Sequence, residues 1–371
     1  MKMRNLRSNI VIITLLFACL GLQGQAVVNT PRTSPRAQFS QTFGITKVTI
    51  DYGAPKVKAG NNDRTGKIWG QQIPYGYQQI NFAGKGKIPW RAGADENTTI
   101  SFSTDVKVEG KPLAAGTYGF HIALHEDNTA TLIFSNNTSS WGSFWYNSAE
   151  DALRVKVALE DTDFQNVLNY SAIELDGLYT RLALTWEKKR IPFSVEANTL
   201  QLVENSLKEE LRGQVGFGWQ GKFQAAQYLV RYQHNLPLAQ QWIDESIAAN
   251  KNFQNLQLKS SILFQQQKME QVMAVLDEAS ALANMNELNA LGYTLMQNNL
   301  LDKALAMFEL NVKRNPDDAN VLNSLGEALV AKGGKADKKR AIKLFKKSNS
   351  LNPAQLVKDS NDQHLSDLGA N

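Results

Sequence analysis

Cysteine is all but missing: Cys19 stands alone among 371 residues, so no disulfide can form within one chain. If the segment before Val27 is removed, no thiol remains for catalysis. Long apolar runs are missing too. Ile10 to Leu20 is the longest, and nothing later approaches the ~20 residues that span a bilayer, so no membrane helix is expected in the mature chain. An excess of one charge is also lacking. Of the formal +5, Lys2, Arg4 and Arg7 supply three, leaving +2 over the 345 residues after Ala26. That balance gives no case for nucleic acid. The one dense basic cluster, Lys335, Lys338, Lys339, Arg340, Lys343, Lys346 and Lys347, recurs at partly helical spacing and reads as a solvated helix face. No HExxH, EF-hand loop, G-x-S-x-G elbow or phosphate loop appears, and neither a metal nor a cofactor is expected.

What is present begins with an export signal. Lys2, Arg4 and Arg7 precede the apolar run, and Gly24-Gln25-Ala26 places small residues where a signal peptidase needs them. Residues 1 to 26 are therefore expected to be a cleaved leader and the protein periplasmic or otherwise exported. The alternative is a lipoprotein of the cell envelope. Leu16-Phe17-Ala18-Cys19 loosely matches a lipidation box, although Phe17 fits it poorly, and Cys19 would carry the anchor.

At the other end a period of about 34 residues repeats. Leu288, Leu291-Gly292, Leu295, Ala304, Phe308 and Pro316 are answered by Leu322, Leu325-Gly326, Leu329, Ala341, Phe345 and Pro353. The second half is displaced by three residues, which the run at 333 to 339 is expected to absorb as a longer inter-helix loop. Weaker units fall at Phe223, Ala226, Val230, Ala239, Ile243 and Ser246, and at Leu256, Ser260, Leu263, Val272, Leu276 and Ala279. The spacing predicts four helical hairpins over 203 to 356, each too small to bury its apolar face alone. Residues 357 to 371 are expected to fray. The pattern resembles the tetratricopeptide repeat, with Leu288 and Leu295 at that family's tryptophan and tyrosine positions. The resemblance implies an all-α superhelix holding a protein or peptide ligand in its groove, with Asn289, Asn323 and Glu327 as candidate contacts.

Between leader and helices the apolar period shortens to two. Short alternating runs, including Val48 to Tyr52, Thr98 to Phe102, Tyr118 to Leu124, Leu153 to Leu159 and Leu182 to Trp186, are separated by Gly, Asn and Asp. Over 34 to 197 they predict an all-β domain, a sandwich or a partly closed barrel. The strings SPRAQFSQTFGITKVTIDYGAPKVKAG, IWGQQIPYG, PWRAGADENTTISFSTDVKVEGKPLAAGTYGFHI, WGSFWYNSAEDALRVKV and LALTWEKKRIPFSVEA resemble the secreted bacterial domain family DUF2911. That resemblance implies an exported β domain, sometimes followed by helical repeats, and no particular activity. Residues 61 to 87 are longer and richer in glycine and asparagine than the pattern leads one to expect, which would lengthen a loop beside any site.

Within the β region Trp90, Arg91, Asp95, Glu96 and Asn97 form the most pointed cluster. A guanidinium beside an indole can orient an anionic or sugar-like ligand; the plainer reading is a loop fastened by an ion pair. His121 and His125 are the candidate general bases or ligands, yet four residues of strand put their Cα atoms roughly 13 Å apart. Asp95 and Glu96, as neighbours, need a turn to act together. Trp141, Trp145 and Tyr146, with Phe144, form an aromatic group that either stacks a glycan or peptide or closes one end of the core. A protein- or peptide-binding adaptor, with the β domain as a second binding surface, is the leading reading. A hydrolase-like enzyme acting on an envelope glycan or small metabolite is the alternative, and a structural assembly module the third. Convergence of Arg91, Asp95 and His121 on one pocket would favour the enzyme.

Overall fold

A computed structural model describes residues 30–370; the leader, Cys19 and the cleavage position lie outside them. The chain divides after Ala197 into a β unit and a helical unit.

The β unit runs β1 (Arg36–Phe43), β2 (Thr46–Gly53), four short strands β3 (Lys58–Ala59), β4 (Asn62–Asp63), β5 (Gln78–Ile80) and β6 (Gly86–Ile88), then β7 (Thr99–Phe102), β8 (Val106–Val108), β9 (Lys111–Leu113), β10 (Gly116–Leu124), β11 (Thr129–Ser135), β12 (Asp151–Ala158), β13 (Glu160–Leu175) and β14 (Tyr179–Glu196). One open sheet has the order β1-β2-β7-β10-β11-β12 and the other β13-β14-β8-β9. All their pairings are antiparallel. Of the two architectures expected, the protein adopts the sandwich. Alternation explains β2, whose Val48, Ile50 and Tyr52 are buried while Lys47 is exposed. Phe120 of β10 meets Phe193 of β14 and Tyr170 of β13 at ring-centroid distances of 5.8 and 6.3 Å, which joins the sheets in one core. The β8–β9 hairpin turns through Glu109 (φ 49°) and Gly110 (φ 74°), the two left-handed residues that match strand twist. Pro112 falls on the edge strand, where its missing N–H costs no ladder bond.

Strands β13 and β14 are longer than alternation implies. The stretch from Glu160 to Val167 carries no buried side chain, so it has no apolar signature, and main-chain pairing with β14 extends it with register shifts at Asp161, Gln165 and Asn169.

The helical unit comprises α1 (Thr199–Glu210), α2 (Trp219–Arg231), α3 (Leu236–Ala249), α4 (Phe253–Gln265), α5 (Met269–Leu282), α6 (Met285–Gln297), α7 (Leu301–Arg314), α8 (Ala319–Lys332), α9 (Lys335–Ser350) and α10 (Gln355–Asp367). The pairs α2/α3, α4/α5, α6/α7 and α8/α9 pack as hairpins, and α2 stacks on α4 and α6 on α8. Each hairpin turns through a left-handed residue, Gln233, Gln267, Asn299 or Gly333, which ends the first helix by returning its N–H to the last turn. In three hairpins a buried polar side chain near the end of the second helix bonds the first carbonyl of its partner: Ser246 to Trp219, Asn311 to Met285 and Ser348 to Ala319, at 2.7 to 2.9 Å. The unit is a tetratricopeptide-like stack.

Two expectations are corrected. The three extra residues near 335 do not lengthen a loop: only Gly333 and Gly334 separate α8 from α9, and the insertion becomes most of a turn of the 16-residue α9. The alternating lysines and Ala341 favour helix there once Gly334 has set its start. Nor does the end of the chain fray at 357. Pro353 leads into α10, which stacks on α8 in the place of a first helix and buries Asn361 and Leu365. The Asn-Pro that precedes it at 352 repeats the Asn-Pro at 315 before α8 and was the available signal.

Where paired helices cross closely the repeat needs glycine. A Cβ on Gly292 would fall 2.5 Å from the Phe308 ring and one on Gly326 2.4 Å from the Phe345 ring, both rings being fully buried. Gly326→Ala gains about 1 kcal/mol of helix propensity, but overpacking against a ring that cannot swing away costs about 1–3 kcal/mol. The variant is expected to unfold at lower urea concentration by far-ultraviolet circular dichroism; a higher midpoint would show that the crossing relaxes freely.

Candidate functional site

The backbone of residues 90 to 98 is fixed against β10. Trp90 and Ile122 exchange both main-chain hydrogen bonds, at 2.9 and 2.8 Å, and Phe120 N–H donates to the Thr98 carbonyl at 2.7 Å. Between these anchors the chain turns twice through left-handed residues, Ala92 (φ 51°) and Asp95 (φ 63°). The Trp90 indole donates to the Gly93 carbonyl, the Arg91 guanidinium to the Asp95 carbonyl, and the enclosed Tyr170 hydroxyl to the Ala92 carbonyl at 2.7 Å. Gly93 packs so tightly that a Cβ would lie 2.6 Å from the Thr98 hydroxyl.

This loop separates the candidate residues. Trp90, Arg91 and Asp95 line a cleft of ≈ 450 Å³, together with Arg64, Phe144 and Trp186. Trp69, Trp90 and Trp186 form one indole cluster beside it, with Trp90 and Trp186 stacked at 6.3 Å. Arg91 lies 4.6 Å from the Phe144 ring centroid and fills the space above Gly142, whose φ of 57° and lack of Cβ make room for it. Burial pushes the Arg91 guanidinium below its usual pKa, and Asp95 opposes that shift. Glu96 faces Arg32 at 2.5 Å, which with Arg36 holds its carboxyl below the usual range against the opposing effect of burial. The turn does bring Asp95 and Glu96 together, but around Arg32, which lies 4.0 Å from Asp95. Asn97 is buried and donates to the Asn137 carbonyl.

His121 does not join Arg91 and Asp95 at the cleft. It is 3% exposed and absent from the cleft wall, with Nδ1 2.9 Å from the Ser143 hydroxyl and its ring against Tyr146. A pocket of only ≈ 10 Å³ adjoins it, so the converging triad that would favour an enzyme is not formed. His125 lies beyond the end of β10 and contacts Thr131 at 2.8 Å. Among the described residues no group of His, Cys, Asp and Glu is placed to hold a metal. Trp141 and Trp145 are half exposed, and Tyr146 is tied to Asp151 and Arg154. Sequence reasoning missed Arg64 and Trp186. They are far from Trp90 along the chain, and only the lengthened segment at 61 to 87 hinted that something packs beside the site.

In the helical unit two of the three expected groove contacts are already taken. Asn323 donates to Asn361 and Ser360, and Glu327 accepts from Ser360 and from Tyr293 at 2.9 and 2.8 Å. Both sit under α10, which the sequence reading left out of the stack. Asn289 is half-buried, with its carbonyl oxygen unpaired among the described residues. The open face lies farther back, on α2, α4 and α6. Gln227, Gln254, Gln257, Ser261 and Thr294 line two adjoining hollows of ≈ 460 and ≈ 180 Å³, with Phe264 43% exposed at the second.

A sandwich domain preceding a helical-repeat stack is the class these two units define. Residues 34–195 match the family model described as DUF2911, protein of unknown function, and the β unit is a DUF2911 domain. No curated protein matches the chain. Solved structures similar to it include MamA (residues 41 to the end) from Desulfovibrio magneticus RS-1, at 17% identity over 42% of this chain and 94% of that one, TM-score 0.28. Another is YrrB, described as a TPR protein with an unusual peptide-binding site, at 16% identity over 43% and 86%, TM-score 0.28. The repeat assignment made above stands on the packing of this chain's own helices.

Burial explains the behaviour expected of His121. Loss of water, and secondarily the charge of Arg91, lowers its pKa from 6.5 to about 4. The unfolded chain thus takes up a proton near pH 6.5 that the native pocket refuses until about 4. The stabilisation is complete above the upper value and is lost as pH falls through this window, by ~3 kcal/mol. Urea midpoints of the wild type and His121→Gln at pH 7.5, 5.5 and 4.5 should draw closer as the pH falls; a constant gap would mean that the imidazole is not held neutral.

Proposed function

We propose that this protein is an exported adaptor that holds a peptide or protein segment along the open face of α2, α4 and α6, with the β unit supplying a second binding surface. The observation that carries the reading is the chemistry of that face. The residues lining its two hollows include no charged side chain. Amides and hydroxyls can pair with a peptide main chain whatever its sequence, while Phe264 and the apolar floor at Leu276 and Leu291 offer an anchor for one side chain. The partner's binding segment is accordingly weakly charged with an apolar anchor. The basic residues of α9 are partly spent on neighbours, Arg340 on Glu309 and Lys347 on Asp317. They are not part of the proposed face.

Two features support export: the basic and apolar leader and the small residues ending at Ala26. No helix among the described residues is long and apolar enough to cross a membrane. Mass spectrometry of the protein recovered from the cell envelope should find Val27 as the first residue. A diacylated Cys19 would replace the free adaptor with an anchored one, and an intact Met1 would remove export from the proposal.

The groove itself is tested by selecting peptides from a displayed library on the full chain and measuring their affinity by calorimetry. Ser261→Arg places a long charged side chain in the hollow and should weaken the selected peptides by about tenfold or more, whereas Lys338→Ala on α9 should leave them unchanged. Equal binding by the Ser261 variant would place the peptides elsewhere and defeat the proposal.

A further inference from the structure

The cleft of the β unit is built from parts that the packing of the domain leaves unused. Two guanidiniums, Arg64 and Arg91, line it. Each donates to a main-chain carbonyl, Lys56 and Asp95 respectively, and a carbonyl neutralises no charge. Among the described residues neither has a carboxylate oxygen within ion-pair distance, although the other arginines nearby, Arg32 and Arg36, both do. Asp95, the one acidic residue on the cleft wall, is exposed at the rim with Arg32 at 4.0 Å. Two donors are also stranded: Arg64 Nε and the Trp186 indole N–H are buried with no acceptor among the described residues. Buried donors in folded proteins are paired as a rule, so stranded ones beside a cavity call for an acceptor that enters it.

Part of the remaining wall is polar, from Thr33, Ser34, Gln72 and Gln78, and part is apolar. Trp90, Ile80, Ile88 and Phe144 face the same space, and ≈ 450 Å³ suits a single ring with its substituents better than a polymer. Arg64 and Arg91 are themselves held over aromatic rings, at 5.9 Å from Trp186 and 4.6 Å from Phe144. A guanidinium held in one plane is presented for two parallel bonds to a planar acceptor.

We infer that this cleft binds a small carboxylate-bearing ring compound, its carboxylate taken by Arg64 and Arg91 and its ring laid against Trp90 and Phe144. The ring can be a sugar acid or an aromatic acid; the shared chemistry is a carboxylate beside a flat apolar face. No groove residue takes part, so the inference stands apart from the adaptor reading and the two can fail separately.

The test uses the full chain and follows both tryptophan fluorescence and calorimetric heat, since two indoles, Trp90 and Trp186, line the cleft. The probes are glucuronate and phenylacetate, each compared with its uncharged amide, glucuronamide and phenylacetamide. At least one acid should bind, with its amide weaker by about tenfold or more; binding of glucuronate alone assigns a sugar acid, and of phenylacetate alone an aromatic acid. Arg64→Gln should weaken the bound acid by a similar factor with the thermal midpoint unchanged. Arg91→Gln risks the fold, because Arg91 is wedged above Gly142, but the comparison of acid with amide on the unaltered chain decides without it. Binding of neither acid, amides as tight as acids, or an Arg64 variant as tight as the wild type would each overturn the inference.

Discussion

Strand β10 is the element on which the β unit depends, because it is buried on both faces. One face sends Phe120 into the core shared by the two sheets, so that Tyr170 and Phe193 have something to pack on. The other face carries His121, which is covered by the segment around Ser143. Its edge also does a third thing: past Gly119 it stops pairing with β7 and pairs with Trp90 instead. A pair of main-chain hydrogen bonds thus holds Trp90 and Arg91 at the cleft on the most enclosed strand of the domain. Sites built on such rigid elements hold their geometry better than sites on free loops.

The helical unit solves a different problem by repetition. No hairpin has enough apolar surface to fold alone, so α7 and α9 each lay a phenylalanine on the glycine of the partner helix, and α2 packs on α4, α6 on α8 and α8 on α10. The last described helix is α10. It presents Asn361 and Ser360 to α8, pairing the polar groups of Asn323 and Glu327, while its outer side carries Gln355, Asp359 and Gln363. Its presence shifts the accessible face back toward α2, α4 and α6.

Each unit has a surface of its own, with contrasting chemistry. The face of the stack is uncharged and rich in amides, suited to a chain that repeats its own amide groups. The cleft of the sandwich concentrates positive charge among aromatic rings, suited to a compact anion. His121, buried on β10 of the sandwich, is held neutral down to about pH 4 and reaches neither surface.

The sequence alone was enough for what depends on local pattern. Period two against period 3.6 separated the sandwich from the stack, because side chains alternate on a strand and recur every third or fourth residue on a helix. Gly292, Phe308, Gly326 and Phe345 declared the repeat, since crossing helices leave room for little else at those places. Trp90, Arg91 and Asp95 were legible as a candidate cluster because they are close in the chain. What depends on distant approach was not legible. Arg64 and Trp186 reach the cleft only through the packing of remote segments, and apart from the unusual length of residues 61 to 87 nothing near them in the chain records it. The fates of Asn323 and Glu327 were set by α10, whose polar surface gives little apolar signal. His121 was taken up by Ser143 and Arg91 by the space above Gly142, contacts made across the fold. Alternation tells which side of a sheet a residue takes; which groups then meet it there is decided by tertiary packing.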